Sequence, residues 1–170
     1  MSSLDSARTA FVVIDLMPRI VTQPTEPSSG QEVLERCVAL ADALRGQGTC
    51  IVWVRVERPG VDPQPPGSHL AVTPQQGDLE IVKHTWGAFQ DTGLDGMLRQ
   101  RAVEHVVLGG LVTNFGVEST GRIADKLGYA VTFVSDAMAG YDEHAHRFAV
   151  EYVFPRIGTV RTADALLPRS

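Results

Sequence analysis

Two charged residues stand directly after strand-like runs, where a surface charge is not expected. Asp15 follows the apolar run 10–14, and Lys83 follows the shorter run 79–82. A carboxylate and an ammonium at neighbouring strand ends can meet in one cleft, where each shifts the pKa of the other, as is common at functional sites. The alternative interpretation is a structural ion pair, or an aspartate that caps a local turn.

A third segment joins an apolar run to a helical pattern through glycines. Residues 109–116 read Gly-Gly-Leu-Val-Thr-Asn-Phe-Gly. A helix that opens near Gly116 presents unpaired backbone N–H groups, which bind anions, or an oxyanion if acyl chemistry occurs. Many helices begin after glycine, so this turn by itself indicates no particular reaction.

The scaffold that positions these segments alternates short β-branched runs with longer amphipathic ones. This alternation predicts parallel βαβ units in a three-layer α/β/α fold with a Rossmann-like sheet of about six strands, which binds ligands beyond the carboxyl ends of its strands. Thr92 is the expected N-cap of the second helix, and the fifth strand is expected to end at Ser135. We predict strands at 10–14, 51–56, 79–82, 106–110, 130–134 and 157–160, and helices at 31–46, 92–101, 113–127 and 143–153.

A proline-rich segment interrupts this alternation between the second and third strands. Residues 58–77 contain five prolines and several glycines, so they cannot form regular structure for long. A loop of this length inside a compact domain usually covers a site or is mobile. We therefore interpret residues 58–77 as a lid or wall of the pocket.

Four other side chains have both a functional and a structural interpretation. Trp86 offers an aromatic wall for a planar ligand, or it packs in the core or a subunit interface; for Phe89 packing is favoured. Arg19 and Arg55 could bind a substrate carboxylate bidentately, or they are surface charges.

Length and composition limit the classes of function. The 170 residues fit one domain, 1–170, and the net charge of −5 argues against nucleic-acid or acidic-membrane partners. Cys37 and Cys50 do not make a disulfide framework, which favours a reducing, cytoplasmic setting. Residues 1–10 lack the pattern of a secretory signal, and no apolar stretch approaches the ~20 residues of a membrane span.

Taken together, the segments resemble the isochorismatase-like, or cysteine hydrolase, superfamily over nearly the whole chain. Their order and spacing are similar to the family's opening strand with its catalytic aspartate, its lysine segment, its nucleophile turn, and its late strand and helix. The resemblance implies catalytic roles for Asp15 and Lys83 and puts Gly116 at the nucleophile position. It rests on residues 11–15, 81–89, 110–120, 134–137 and 142–144.

The glycine at this position changes the chemistry that the resemblance implies. Most members use an Asp, a Lys and a Cys on an amide carbon, but Gly116 has no side chain and cannot act as a covalent nucleophile. Authentic isochorismatases also carry glycine there and hydrolyse a vinyl ether, which implies that Asp15 protonates the enol methylene carbon while Lys83 orients it and meets substrate carboxylates. Because an ammonium lowers a carboxyl pKa, burial or an anionic substrate has to raise it again.

The chain also departs from family patterns. It reads Leu-Met-Pro-Arg-Ile at 16–20 instead of a Gln-Asn-Asp-Phe type run, and Arg-Val-Glu-Arg at 55–58 instead of the Asp-x-His metal motif. His144 and His146 diverge on a helix, so we predict no catalytic metal and no cofactor. The resemblance further implies a non-proline cis peptide between Leu111 and Val112, and a homodimer or higher homo-oligomer.

Two functions follow from these observations. The first is a cysteine-independent hydrolase of a small anionic metabolite, such as the vinyl ether isochorismate. The alternative is a pseudoenzyme that binds a small ligand or a partner protein, with Asp15 and Lys83 as a structural or binding pair and Gly116→Cys as the change that could restore weak amidase activity. The predicted substrate-binding residues are Trp86, Val112, Thr113, Asn114 and Arg19.

Overall fold

The sheet is parallel throughout and lies at the centre of the molecule. The structure, a computed structural model, describes residues 4–167. Within them the six strands are β1 (Thr9–Ile14), β2 (Cys50–Val56), β3 (Leu79–Lys83), β4 (His105–Leu111), β5 (Ala130–Ala139) and β6 (Thr159–Arg161). Their spatial order is β3-β2-β1-β4-β5-β6, with every pair parallel. Strand order reverses between β1 and β4, the point at which such sheets bind ligands.

Helices cover both faces of the sheet, as predicted for a three-layer α/β/α fold. A π-helical turn, Thr113–Val117, leads into α4, and a second, Ala149–Val153, joins α5 to α6. The helices are α1 (Pro18–Val21), α2 (Gly30–Arg45), α3 (Leu94–Gln100), α4 (Glu118–Lys126), α5 (Glu143–Phe148) and α6 (Phe154–Ile157). Among the described residues no helix is long and apolar enough to cross a membrane.

The structure explains why apolar and polar residues do not alternate along strand β1. Phe11 and Val13 pack in the core on the α2 side, whereas Val12 and Ile14 pack in the core on the α3 and α4 side. Both faces of the strand are therefore buried, which requires apolar residues at consecutive positions. Gly110 of β4 allows the two strands to approach at φ +106, because a Cβ there would lie 2.2 Å from the carbonyl oxygen of Ile14.

The second predicted helix starts later than expected. The prediction of Thr92 as its N-cap was wrong: α3 begins at Leu94 and Gly93 is the N-cap, with a left-handed φ of 75°. The Thr92 hydroxyl donates to the carbonyl of Ala88 at 2.6 Å and accepts from the N–H of Leu94 at 3.3 Å. Thr92 thus ends the preceding turn while still satisfying one free N–H of the helix.

Two predicted boundaries near the end of the chain were also wrong. Strand β5 continues past Ser135 to Ala139, because a register shift between Leu108 and Gly110 lets it pair with β4 again. The last helical segment ends at Ile157 instead of 153. Pro155 does not stop it, because this proline lies in the first turn of α6, where its missing N–H is not needed.

Candidate active site

Asp15 and Lys83 meet at the carboxyl ends of β1 and β3. The Nζ atom of Lys83 lies 2.8 Å from Oδ2 of Asp15, and both side chains are buried. The backbone N–H of Asp15 donates to the carbonyl of Val54 at 2.9 Å, so the ladder between β1 and β2 reaches the residue that carries the carboxylate. Asp15 then adopts a left-handed φ of 49°, which ends the strand.

The ammonium of Lys83 makes two more hydrogen bonds besides that to Asp15. It donates to the carbonyl oxygens of Thr85 at 3.2 Å and Trp86 at 3.1 Å. An ammonium has three N–H donors, and here each has an acceptor. The segment that follows β3 therefore folds back around the lysine and fixes the position of its charge.

Burial dominates the acidity of Asp15. It raises the pKa of Asp15 from its ordinary 3.8 to about 6, against the opposing effects of the Lys83 ammonium and the Arg19 guanidinium. A carboxyl group with a pKa near 6 is protonated in a useful fraction of molecules near neutral pH. Burial therefore raises the pKa of Asp15 by more than the Lys83 ammonium lowers it.

Gly116 lies against this pair. It belongs to the π-helical turn after β4, and a Cβ at this position would lie 3.4 Å from Asp15 Oδ2 and 3.5 Å from Lys83 Nζ. The same Cβ would lie only 2.9 Å from Cγ2 of Ile14, closer than real Cβ contacts allow. The three residues predicted to be catalytic therefore come together, and the Leu111–Val112 peptide beside them is cis, as the resemblance implied.

A cavity of about 720 Å³ opens above the pair. Its floor includes Asp15, Lys83 and Gly116, and Arg19 and Val112 also line it. One wall comes from the proline-rich segment, which contributes Arg58, Pro59, Pro65 and Pro66. This placement agrees with the interpretation of residues 58–77 as a wall of the pocket.

Aromatic side chains form another wall. Trp86 is 64% exposed and stacks on Phe115, with ring centroids 5.1 Å apart; Tyr141 lies 6.3 Å from Phe115. Trp86 is therefore not a core residue, whereas Phe89 is buried and stacks on Tyr129, as favoured from the sequence.

Phe115 and Tyr141 were not among the predicted site residues. For Phe115 the available signal was its position next to Gly116 in the turn. For Tyr141 the sequence offered no such signal, because β5 was expected to end at Ser135, which left Tyr141 outside any strand end.

Thr113 and Asn114 do not line the cavity, and a role for them in substrate binding stays a prediction. The hydroxyl of Thr113 is buried 2.8 Å from Nδ1 of His146, and Oδ1 of Asn114 packs near Gly140. The π-helical turn directs the side chain of Thr113 toward α5, and Val112 alone of the three residues borders the cavity. Arg55 is also structural, since it is paired with Glu57 and Glu80.

Neither cysteine is near the pair. Cys37 lies on the buried face of α2, where its thiol contacts the carbonyl of Ala137 at 3.4 Å and burial raises its pKa to about 12. Cys50 opens β2 at the opposite end of the sheet. Across residues 4–167, no group of three or more His, Cys, Asp or Glu side chains is arranged to hold a metal ion.

The chain is similar to known proteins over nearly its whole length. The family model of the isochorismatase domain matches residues 9–165. The uncharacterized isochorismatase family protein YwoC of Bacillus subtilis (strain 168) is 35% identical, over 97% of this chain and 95% of its own length. YecD of Escherichia coli O157:H7, also an uncharacterized isochorismatase family protein, is 34% identical over 98% of each chain.

Solved structures show the same fold. An isochorismatase family protein from Burkholderia thailandensis superposes with a TM-score of 0.85 at 36% sequence identity. The match covers 97% of this chain and 95% of that protein. The fold and the sequence thus point to the same family.

Proposed function

This chain belongs to the isochorismatase family of hydrolases, and we propose that it works without a cysteine nucleophile, with Asp15 as general acid on a small anionic metabolite. The observation that carries the proposal is the position of Gly116 beside the Asp15–Lys83 pair. A side chain at 116 would touch both charged groups, so this is the position from which a nucleophile would act. Glycine leaves the pair with a proton to transfer and no thiol to activate.

The reaction that uses such an acid is the hydrolysis of a vinyl ether of pyruvate, of which isochorismate is the example. Protonated Asp15 gives its proton to the methylene carbon, and the double-bond electrons form the new C–H bond. The resulting oxocarbenium ion takes up water, whose released proton returns to the Asp15 carboxylate. The hemiketal then collapses to pyruvate and the free alcohol.

Lys83 supports this step as a positioning residue. Its bond to Oδ2 holds the carboxyl group in place, while Oδ1 has no hydrogen-bond partner within residues 4–167. The proton to be transferred is therefore assigned to Oδ1. When Asp15 loses the proton, the ammonium stabilises the carboxylate that forms, which lowers the barrier for the transfer.

The test is pyruvate release from isochorismate, measured with a coupled lactate dehydrogenase assay. Wild-type protein is expected to release pyruvate, and Asp15→Asn, which keeps the shape but has no acidic proton, is expected to release it at least ~100-fold more slowly. Equal rates for the two proteins would exclude Asp15 as the acid. No pyruvate from either protein would exclude the vinyl ether and favour a binding protein or another non-covalent hydrolysis.

We also propose that the protein is a homo-oligomer in a reducing compartment such as the cytoplasm. Phe148 and Tyr152 stack on each other while 58% and 51% exposed, and exposed apolar patches of this kind mark contact surfaces. Cys37 and Cys50 are both free thiols. Light scattering after gel filtration, with Phe148→Ser as the variant, measures the assembly.

A further inference from the structure

Lys83 has no donor left for a substrate. Its three N–H groups are taken by Asp15 Oδ2 and by the carbonyls of Thr85 and Trp86. A substrate carboxylate could bind this ammonium only by displacing one of these acceptors. The contact between Lys83 and a substrate carboxylate, expected from the resemblance, is thus disfavoured by the geometry, and the cavity needs another cation to hold an anion.

Arg19 has this capacity. It lines the same cavity, its Nε is buried without a hydrogen-bond partner in the described part of the chain, and its Nη2 makes only a 3.5 Å contact with the carbonyl of Val56. The Nε and Nη2 groups of a guanidinium form a fork of parallel donors that fits the two oxygens of a carboxylate. A buried donor without a partner is costly, so a bound carboxylate would give the Nε–H of Arg19 the acceptor that it lacks.

The backbone of Arg19 is held by the wall of the cavity. Arg19 lies in α1, which begins with Pro18, and its N–H donates to the carbonyl of Gly67 at 3.2 Å. A Cβ on Gly67, which has a φ of 76°, would lie 3.0 Å from this same nitrogen. The proline-rich segment therefore packs directly onto α1 and holds the backbone of Arg19 in place.

The cavity combines charged groups with a flat apolar wall. Trp86 and Phe115 stack with an angle of 26° between their ring planes and expose 64% and 38% of their surface. An exposed aromatic face of this kind stacks well on a planar group. The cavity thus offers a flat apolar wall, a guanidinium and a buried acid.

We propose that Arg19 is the carboxylate anchor of this cavity and that its ligands are small planar carboxylates that stack on Trp86. This inference rests on the proposed function, because it assigns the substrate class of the same site. Arg58 is the other guanidinium that lines the cavity, and unlike Arg19 its side chain is exposed. Arg58 therefore serves as the matched control, since it carries the same charge at the edge of the same cavity.

A bound carboxylate has a consequence for Asp15. The Arg19 guanidinium lowers the pKa of Asp15, and a carboxylate paired with Arg19 cancels this effect. Ligand binding therefore raises the pKa of Asp15, which takes up a proton from solvent and becomes the acid. The other charged and titratable groups that line the cavity are Glu57, Arg58, Lys83, His84 and Tyr141.

The test uses benzoate, a planar carboxylate with no bond for the enzyme to hydrolyse, and benzamide as its neutral analogue. Calorimetric titration at pH 7 is expected to show that Arg19→Gln weakens benzoate binding by ~10- to 100-fold, as for lost hydrogen bonds to a charged group. Arg58→Gln is expected to change it by less than ~3-fold, as for an exposed charge. Benzamide is expected to bind wild type and Arg19→Gln equally.

The same titration in buffers of different ionisation enthalpy measures proton uptake. Uptake is expected for wild type and is expected to be lost in Asp15→Asn. Equal benzoate affinity of wild type and Arg19→Gln would overturn the proposal, and so would absence of benzoate binding by folded wild type. Benzoate binding through Arg19 without pyruvate release from isochorismate would leave the anchor standing and overturn the proposed reaction alone.

Discussion

Asp15 and Lys83 form an ion pair although their strands are not neighbours. Strand β2 lies between β1 and β3 in the sheet, so the two backbones are separated by two strand spacings, about 9.5 Å. Lys83 pairs in register with Val56, two residues beyond Val54, which pairs with Ile14. The long lysine side chain therefore crosses the end of β2, a distance that only a long cationic side chain covers.

Removal of this cation is expected to destabilise the protein in a pH-dependent way. Lys83→Met leaves the Asp15 carboxylate buried without its partner, which costs about 3–5 kcal/mol when the carboxylate is charged. It also raises the pKa of Asp15 further above its ordinary 3.8, since Lys83 lowers it. The native state then holds a proton that the unfolded state has lost, so the free energy of unfolding falls as pH rises from about 4.

Urea unfolding at pH 5 and pH 7.5 measures this effect. The deficit of Lys83→Met relative to wild type is expected to be larger at pH 7.5. The control is Lys126→Met, because Lys126 is exposed at the end of α4, and its free energy of unfolding is expected to stay within about 0.5 kcal/mol of wild type. A deficit that did not depend on pH would contradict the effect of the pair on Asp15.

The activity of a general acid falls as it loses its proton. With a pKa of Asp15 of about 6, kcat/KM for pyruvate release is expected to be level at lower pH and to decline above pH 6, approaching about tenfold per pH unit. Initial rates between pH 5 and 8.5 measure this profile. A rate that rose through the same range would show that Asp15 acts as a base, as it would in an amidase.

A side chain at position 116 is expected to cost stability. Gly116→Ala puts a Cβ 2.9 Å from Cγ2 of Ile14, and overpacking of this kind in a core costs about 1–3 kcal/mol. For the same reason Gly116→Cys is not expected to give amide hydrolysis, since its thiol can enter the site only if Ile14 moves.

Gly96 is the matched control for this substitution. It is exposed within α3 and a Cβ there meets nothing within 4 Å. Gly96→Ala is therefore expected to leave the protein as stable as wild type, or more stable by up to about 1 kcal/mol, because alanine favours the helix. Thermal unfolding of both variants decides whether crowding, and not the loss of glycine as such, causes the change.

Trp86 is expected to contribute to binding and not to stability. Trp86→Ala removes a side chain that is mostly exposed, so its free energy of unfolding is expected to change by less than about 1 kcal/mol, as for most surface substitutions. Its KM for isochorismate is expected to rise by about tenfold, because stacking of a flat ligand on an aromatic ring is worth about 1 kcal/mol or more.

The neighbouring Phe89 shows the opposite behaviour. Phe89→Ala empties a site in the core next to Tyr129 and is expected to cost about 3–5 kcal/mol of stability. Comparison of the two variants by urea unfolding and by initial rates therefore distinguishes a binding role of Trp86 from a packing role of Phe89. A similar loss of stability in both would contradict the exposed position of Trp86.

Lys83 ends a shorter, partly exposed strand that includes Glu80, whereas Asp15 follows a run that is buried on both faces of the sheet. Charge after such a run is informative, since burial on both faces excludes charge within it. The parallel sheet with helices on both faces was predicted from the βαβ alternation. These features depend on local pattern and simple topology, which a single sequence carries.

Other parts of the site depend on irregularities that a periodic pattern does not carry. The register shift near Gly110 extends β5 and brings Tyr141 to the cavity. The π-helical turn Thr113–Val117 directs Thr113 toward His146 instead of toward the cavity. The three acceptors of Lys83 come from a backbone segment without regular structure, so its lack of a free donor was not visible in the sequence.

The four-residue helix α1 has a consequence for how the protein could change over evolution. Arg19 bonds to Gly67 and Leu16 accepts from the N–H of Ala71, so α1 and the proline-rich wall are joined to each other as one unit beside the sheet. Residues 16–20 and 58–77 could therefore be exchanged together as a cassette between relatives, while Asp15 and Lys83 stay on their strands. Such a chain could acquire new substrates by swapping the cassette, and its proton donor would not have to be rebuilt.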